Sequence, residues 1–98
     1  MQNEYLIPVD VFCANHHIEI SFISSLQQTG LIEITTIEDG KFLNSIQLQQ
    51  AEKFIRFYYE LDINLEGIET ITHLLEQINL MQNEIKTLKN RLRIYENN

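Results

Sequence analysis

Three groups of residues in this 98-residue chain are of types that do chemistry. The first is Cys13 with His16 and His17, a thiol and two imidazoles in one short stretch. A bound metal needs such donors to converge on one point. Adjacent histidines on a turn rarely do so, and no further Cys or carboxylate cluster joins them at ligand spacing, so no metal is expected. Cys13 follows Phe12 on an apolar face and reads as a small buried hydrophobe. His73 stands alone in a long helical stretch and belongs at its surface. The second group is Ser24, Ser25, Gln27 and Gln28, whose polar ends are suited to touching base edges in a DNA groove. The third is an aromatic run, Phe54, Phe57, Tyr58 and Tyr59, followed directly by Glu60, Asp62, Glu66 and Glu69. An aromatic anchor beside a charged rim is what protein recognition uses. No Ser-His-acid or Cys-His set can be assembled, and no Gly-rich phosphate loop is present. Catalytic residues and cofactors are therefore not expected, and the chain reads as non-enzymatic.

The elements that must position these groups follow from the apolar spacing. Pro8 closes an extended lead-in, and Asp10 is the expected N-cap of a short helix, "VFCAN". In "HIEISFISSLQQTG", Ile20, Ile23, Leu26 and Gln27 recur at three and four residues, with Phe22 widening the apolar side, and Gly30 stops the helix. "LIEITTIEDGKFLN" is β-branched and alternating, a hairpin with Asp39-Gly40 as its two-residue turn. Such a hairpin is marginal alone and must lie against the helices. Asn44 or Ser45 then caps a third helix whose apolar face runs through Ile46, Leu48, Ala51, Phe54, Ile55, Tyr58 and Leu61. On that face Phe54 and Tyr58 belong to the core, leaving Phe57 or Tyr59 as an exposed anchor. Asn64 caps a last helix, uninterrupted from Ile68 to Tyr95. Such length predicts pairing with another chain. Its seam, Ile68, Ile71, Leu75 and Ile78, continues into Met81, Ile85, Leu88, Leu92 and Tyr95, with a three-residue stammer between Ile78 and Met81. Residues 1–62 are thus expected to form a head, and residues 63–98 a dimerisation helix of the same structural unit.

Charge narrows the partners. The net charge is −7. Residues 1–52 hold one base, Lys41, against seven acids; residues 57–85 hold no base and six acids; "KTLKNRLR" (86–93) then carries four bases and no acid. Binding through phosphates needs Lys and Arg, so nucleic acid is a poor partner for the first half. The acids after the third helix extend over about five turns, beyond the reach of the helix dipole. A basic protein surface is their natural complement. One cysteine, no apolar run of membrane-spanning length and no basic flank ahead of the first apolar residues fit a soluble cytoplasmic protein.

The order of elements resembles that of the MerR-type winged helix-turn-helix proteins: mainly α, with a small β-hairpin wing and a long C-terminal helix forming a coiled coil. More closely, the chain resembles the CbpM-type chaperone modulators, relatives of that fold. The matching residues are Phe12-Cys13, Ile18, "GLIE" (Gly30–Glu33), "ELDINLEGI" (Glu60–Ile68) and "LKNRLR" (Leu88–Arg93). His17 stands where that family usually has Gly, and Glu19 where it usually has Ser; a positive φ at His17 carries a backbone cost. The resemblance implies binding to the J-domain of a DnaJ-like co-chaperone, in competition with its Hsp70 partner. The expected partner-binding residues are Glu60, Asp62, Glu66, Glu69, Phe57 and Tyr59. The expected dimer interface is Ile78, Met81, Ile85, Leu88 and Leu92, in an antiparallel homodimer that sets acidic Glu66–Glu84 against basic Lys86–Arg93. The alternative is a MerR-like DNA-binding transcriptional regulator, which the missing bases of the second helix and the wing argue against.

Overall fold

A computed structural model describes residues 5–96. Along the chain lie β1 (Leu6–Pro8), α1 (Val9–His16), α2 (Ile20–Gln28), β2 (Thr35–Ile37), β3 (Gly40–Asn44), α3 (Ser45–Ile55), a π-helical turn (Arg56–Glu60) and α4 (Leu65–Glu96). The fold is the mainly helical, winged helix-turn-helix type expected, with one enlargement. The lead-in before α1 joins the wing, giving an antiparallel sheet of order β1-β3-β2 in which Ile7 pairs with Leu43 and Thr35 with Phe42. Pro8 is tolerated because β1 is an edge strand, where a missing N–H leaves no ladder position empty. The third strand gives the hairpin the support it lacks alone.

The hairpin register corrects the expected turn. Ile37 pairs with Gly40, so the two loop residues are Glu38 and Asp39, not Asp39 and Gly40. Glu38 takes the positive φ of 53°. Gly40 has a different reason to be glycine: a Cβ there would stand 2.8 Å from the Phe42 ring. The start of α1 also departs from expectation. Pro8, at φ −59° and ψ 140°, is the N-cap, so Asp10 falls inside the first turn and accepts a hydrogen bond from the Val11 amide at 2.8 Å. The proline already supplies the extended residue that a cap requires.

Three helix ends are closed by left-handed residues. His17 (φ 57°) follows α1, and the Ile18 amide donates back to the Cys13 carbonyl at 3.0 Å. Gly30 (φ 82°) follows α2, as its position predicted, with the Leu31 amide donating to the Leu26 carbonyl at 2.9 Å. Asp62 (φ 56°) follows the π turn, with the Ile63 amide donating to the Phe57 carbonyl at 2.9 Å. Each bond satisfies a carbonyl that the helix end leaves over. Glu19 precedes α2 without a side-chain cap bond; its carboxylate instead accepts from the Ser21 hydroxyl. Asn44 and Asn64 are the expected caps, accepting from the Gln47 amide at 2.9 Å and the Gly67 amide at 2.8 Å.

The reversals bring Phe12 and Cys13 of α1, Phe22, Ile23 and Leu26 of α2, Leu43 of β3, Ala51 and Phe54 of α3, and Ile68 of α4 into one buried cluster. Three residues expected on the inner face of the third helix are exposed: Ile46, Tyr58 and Leu61. Ile46 is two residues from Leu48 and four before Gln50, so at 3.6 residues per turn it points away from the Leu48–Ile55 side. Leu61 follows the π turn, whose wider ring shifts every later position off the α-helical phase. One compact unit ends at Ile68 and a second begins at Glu69. α4 is a single 32-residue helix. Among the described residues no helix is long and apolar enough to cross a membrane.

Gly30 provides a test of the reversals, since a Cβ there meets nothing within 4 Å and only its φ matters. Gly30→Ala should cost about 1 kcal/mol in urea denaturation, and Gly30→Asn less, because Asn visits the left-handed region more readily.

Candidate protein-docking surface

The outward side of α2 is polar and uncharged. Gln27 and Gln28 are exposed, Ser24 and Ser25 are half-buried, and Ile20 is exposed near the start. α2 has no base in its last turn. Beside it, a groove runs between the wing and the starts of α1 and α2, lined by Pro8, Val9, Ile20 and Phe42 together with Asp10, Asp39 and Lys41. Lys41 is the only cation there and is offset by two carboxylates. A phosphate-tracking face needs several cations and no such acids.

The aromatic run is split by the π turn. Phe54 is fully buried in α3, and Phe57 is partly buried against the core, its ring centroid 6.4 Å from that of Phe54. Tyr58, expected in the core, is exposed (38%), and so is Tyr59 (45%). The stretch Arg56–Glu60 is a π turn, closed by the Leu61 amide donating to the Arg56 carbonyl at 3.1 Å, so the α-helical phase expected for Tyr58 does not hold through it. Both tyrosines instead lean on Phe22 of α2, with centroids at 4.6 Å and 5.4 Å, and on each other edge to face at 5.0 Å. Phe22 is itself buried, so the pair rests on a fixed platform. Burial of the Tyr59 phenol pushes its pKa up; a hydrogen bond with the Glu19 backbone works the other way, and the Glu19 carboxylate adds to the rise.

A groove runs beside these rings, lined by Tyr58, Tyr59, Asp62, Ile63 and Asn64. Of the six residues expected to bind a partner, the structure brings Tyr59 and Asp62 together here. Glu60 is exposed on the π turn, and Glu66 is exposed in the first turn of α4. Glu69 is exposed on α4 in the second unit. Phe57 faces the core and is not part of the groove. Tyr58 lines it too; α-helical spacing places Tyr58 on the Phe54 face, and Arg56–Glu60 is not α-helical.

On α4, Ile78, Met81, Ile85, Leu88 and Leu92 are all exposed. Leu74, also exposed, falls in phase with them, so the set spans an arc of about 80°. Leu75, expected in the seam, is exposed as well; counted through Leu74 instead, the three-four alternation runs from Ile71 to Tyr95 without a stammer.

His16 lies 3.7 Å from the Glu52 carboxylate and packs on Phe12, His17 forms the left-handed turn, and His73 is exposed beside Gln77. Among the described residues no group of three or more His, Cys, Asp or Glu side chains is placed to hold a metal ion.

The family model described as a MerR HTH family regulatory protein matches residues 7–90. Comparison with curated proteins gives no match.

Cys13 is buried, and that burial, with the Asp10 carboxylate second, pushes its thiol pKa up. The native state therefore holds more protons than the unfolded one above the ordinary thiol pKa, so stability should fall as pH rises past ~8.5. Aromatic disulfide reagents should label the native protein far more slowly than the urea-unfolded chain, and labelling as fast as in urea would contradict the burial.

Proposed function

The chain belongs to the MerR HTH family of regulatory proteins, and we propose that within it this protein is a non-enzymatic chaperone modulator that binds the J-domain of a DnaJ-like co-chaperone and competes there with the Hsp70 partner. The observation that carries this reading is charge. Residues 5–68 hold nine carboxylates and three bases, and the α2 and wing surfaces that a DNA-reading relative would charge positively carry Lys41 alone. Duplex DNA has about one negative charge per 1.7 Å of axis, so this surface is repelled where a DNA-binding one is drawn in. The same acids complement a basic helix, and the "ELDINLEGI" resemblance to chaperone modulators lies where Glu60, Asp62 and Glu66 cluster. Docking would work by covering the co-chaperone's basic surface, with the carboxylates raising the rate of encounter. It requires no cofactor.

The second reading is a DNA-binding transcriptional regulator, favoured by the family match and the helix-turn-helix scaffold. Two titrations separate them. The purified protein should bind an immobilised J-domain of a DnaJ-like co-chaperone, with association slowed by charge reversal at Glu60, Asp62, Glu66 and Glu69. It should not retard duplex DNA. Retardation that weakens steeply as salt rises, without J-domain binding, would overturn the proposal in favour of the regulator.

The second unit is proposed to pair two copies of the chain through the α4 stripe, antiparallel. Glu76 and Glu84 of one copy would then face the Lys86–Arg93 segment of the other, whereas parallel pairing would set like charges side by side. Each exposed ion pair contributes only ~0.5 kcal/mol, so charge selects direction and the apolar stripe supplies affinity. Ile85→Asp with Leu88→Asp should give monomers by light scattering. Spin labels at position 93 should lie far from their symmetry mates; close approach would mean parallel pairing.

A further inference from the structure

Tyr58 and Tyr59 present an unusual surface for residues so near a core. Both rings are braced on buried Phe22 and on each other, yet each keeps more than a third of its area open to solvent. A braced ring loses little side-chain freedom on binding, which is what makes tyrosine effective at interfaces. The groove they line is completed by Asp62, Ile63 and Asn64. Asp62 sits at the left-handed turn, so its backbone is set by the Ile63–Phe57 hydrogen bond.

The chemistry of this groove is that of a cation receptor. Aromatic faces attract ammonium and guanidinium groups, more strongly when water is partly excluded, and a neighbouring carboxylate adds an opposite charge. The chain makes this kind of contact elsewhere, with the Lys53 ammonium 5.4 Å from the Phe54 ring centroid. Among the described residues no Lys or Arg lies over Tyr58 or Tyr59, and neither Glu60 nor Asp62 has an ion-pair partner. The aromatic faces and the charge that would hold a cation are assembled without one from the chain itself.

We propose that the groove of Tyr58, Tyr59 and Asp62 takes a lysine or arginine side chain from an exposed basic helix of the partner protein, the cation lying against the tyrosine rings with the Asp62 carboxylate beside it. This rests on the protein-docking reading above and names the contact by which it would act. The charge balance selects the occupant: the Glu19 carboxylate acts on the Tyr59 phenol, Glu60 and Glu66 flank the groove's residues in sequence, and Arg56 is the nearest base in sequence. A basic helix is matched there, and an acidic or neutral one is not.

The test uses the whole 98-residue chain, which has no tryptophan, so tyrosine fluorescence can be followed against a tryptophan-free probe. The probes are a purified J-domain from a DnaJ-like co-chaperone, a lysine- and arginine-bearing helical peptide, and the same peptide with glutamine at every basic position. Asp62→Asn removes the charge while keeping a residue that tolerates the left-handed turn. Tyr58→Leu and Tyr59→Leu remove the rings, and Tyr58→Phe and Tyr59→Phe keep them, with the fold of each checked by circular dichroism. We expect the basic probes to perturb Tyr58 and Tyr59 and the glutamine peptide not to. Each Leu variant and Asp62→Asn should lose about tenfold in affinity, and the Phe variants little. If the wild type binds the J-domain and both Asp62→Asn and the Leu variants bind equally well, the groove is not the docking contact, though the chaperone reading stands. If the J-domain does not bind but the basic peptide does, with this pattern of variants, the groove inference holds and the chaperone reading fails. If neither probe binds, both fail. A tyrosine emission per molecule that changes with protein concentration alone, and no longer does so when Lys86, Lys89, Arg91 and Arg93 are neutralised, would assign the groove to a second copy of the chain and overturn the proposal.

Discussion

The first compact unit depends on three residues held at positive φ. His17, Gly30 and Asp62 each turn the chain at a helix end where continuing would carry the next element away from the core. α1 and α2 are short, and no helix of that length is stable in water without tertiary packing. Packing requires Phe12 and Cys13 to face Phe22, Ile23 and Leu26, and the turn at His17 permits it. The reversal at Gly30 starts the segment that brings Ile32 and then the wing back onto the same cluster. Only one of the three is glycine. The other two accept a backbone cost of order 1 kcal/mol, offset by the carbonyls they satisfy and the apolar area they allow to be buried.

The π turn at Arg56–Glu60 has a comparable influence on the surface. In a regular α-helix Tyr58 would follow Phe54 and Ala51 onto the core. Through the π turn that phase is broken, and Tyr58 and Tyr59 lie against Phe22, joining the end of the third helix to the start of the second. Irregular turns of this kind occur often at functional sites, because they aim side chains in directions a regular helix cannot. The helix-turn-helix scaffold is present, and the surface of its second helix carries no base. The second helix carries glutamines and serines outward, and the wing's single base, Lys41, stands among carboxylates.

Much of this was legible from residues alone. The extent of α2, its stop at Gly30, the caps at Asn44 and Asn64 and the uninterrupted α4 all follow from rules acting over four or five residues. The hairpin was legible as a hairpin but not in its register. Asp39-Gly40 is the stronger local turn signal, yet Glu38-Asp39 forms the turn, because pairing of Ile7 with Leu43 and Thr35 with Phe42 fixes β3 from both sides. Asp10 was a reasonable cap by residue type, but a proline two positions earlier had already ended the strand.

What the sequence by itself determined, then, is the set of elements, the sign of the charge on each face and the phase of the α4 stripe, since these depend on composition and on periodicity within one element. Only the tertiary structure decided that the lead-in joins the sheet, that Phe57 turns inward while Tyr58 turns out, and that Tyr59 and Asp62 border one groove. The sheet and the seat of both tyrosines on Phe22 rest on contacts between elements far apart in the chain, β1 against β3 and the end of α3 against α2, while the π turn that sets the groove's own residues carries no periodic signal of its kind. No window of neighbouring residues contains both partners of such a contact, so its energy cannot be read from local pattern.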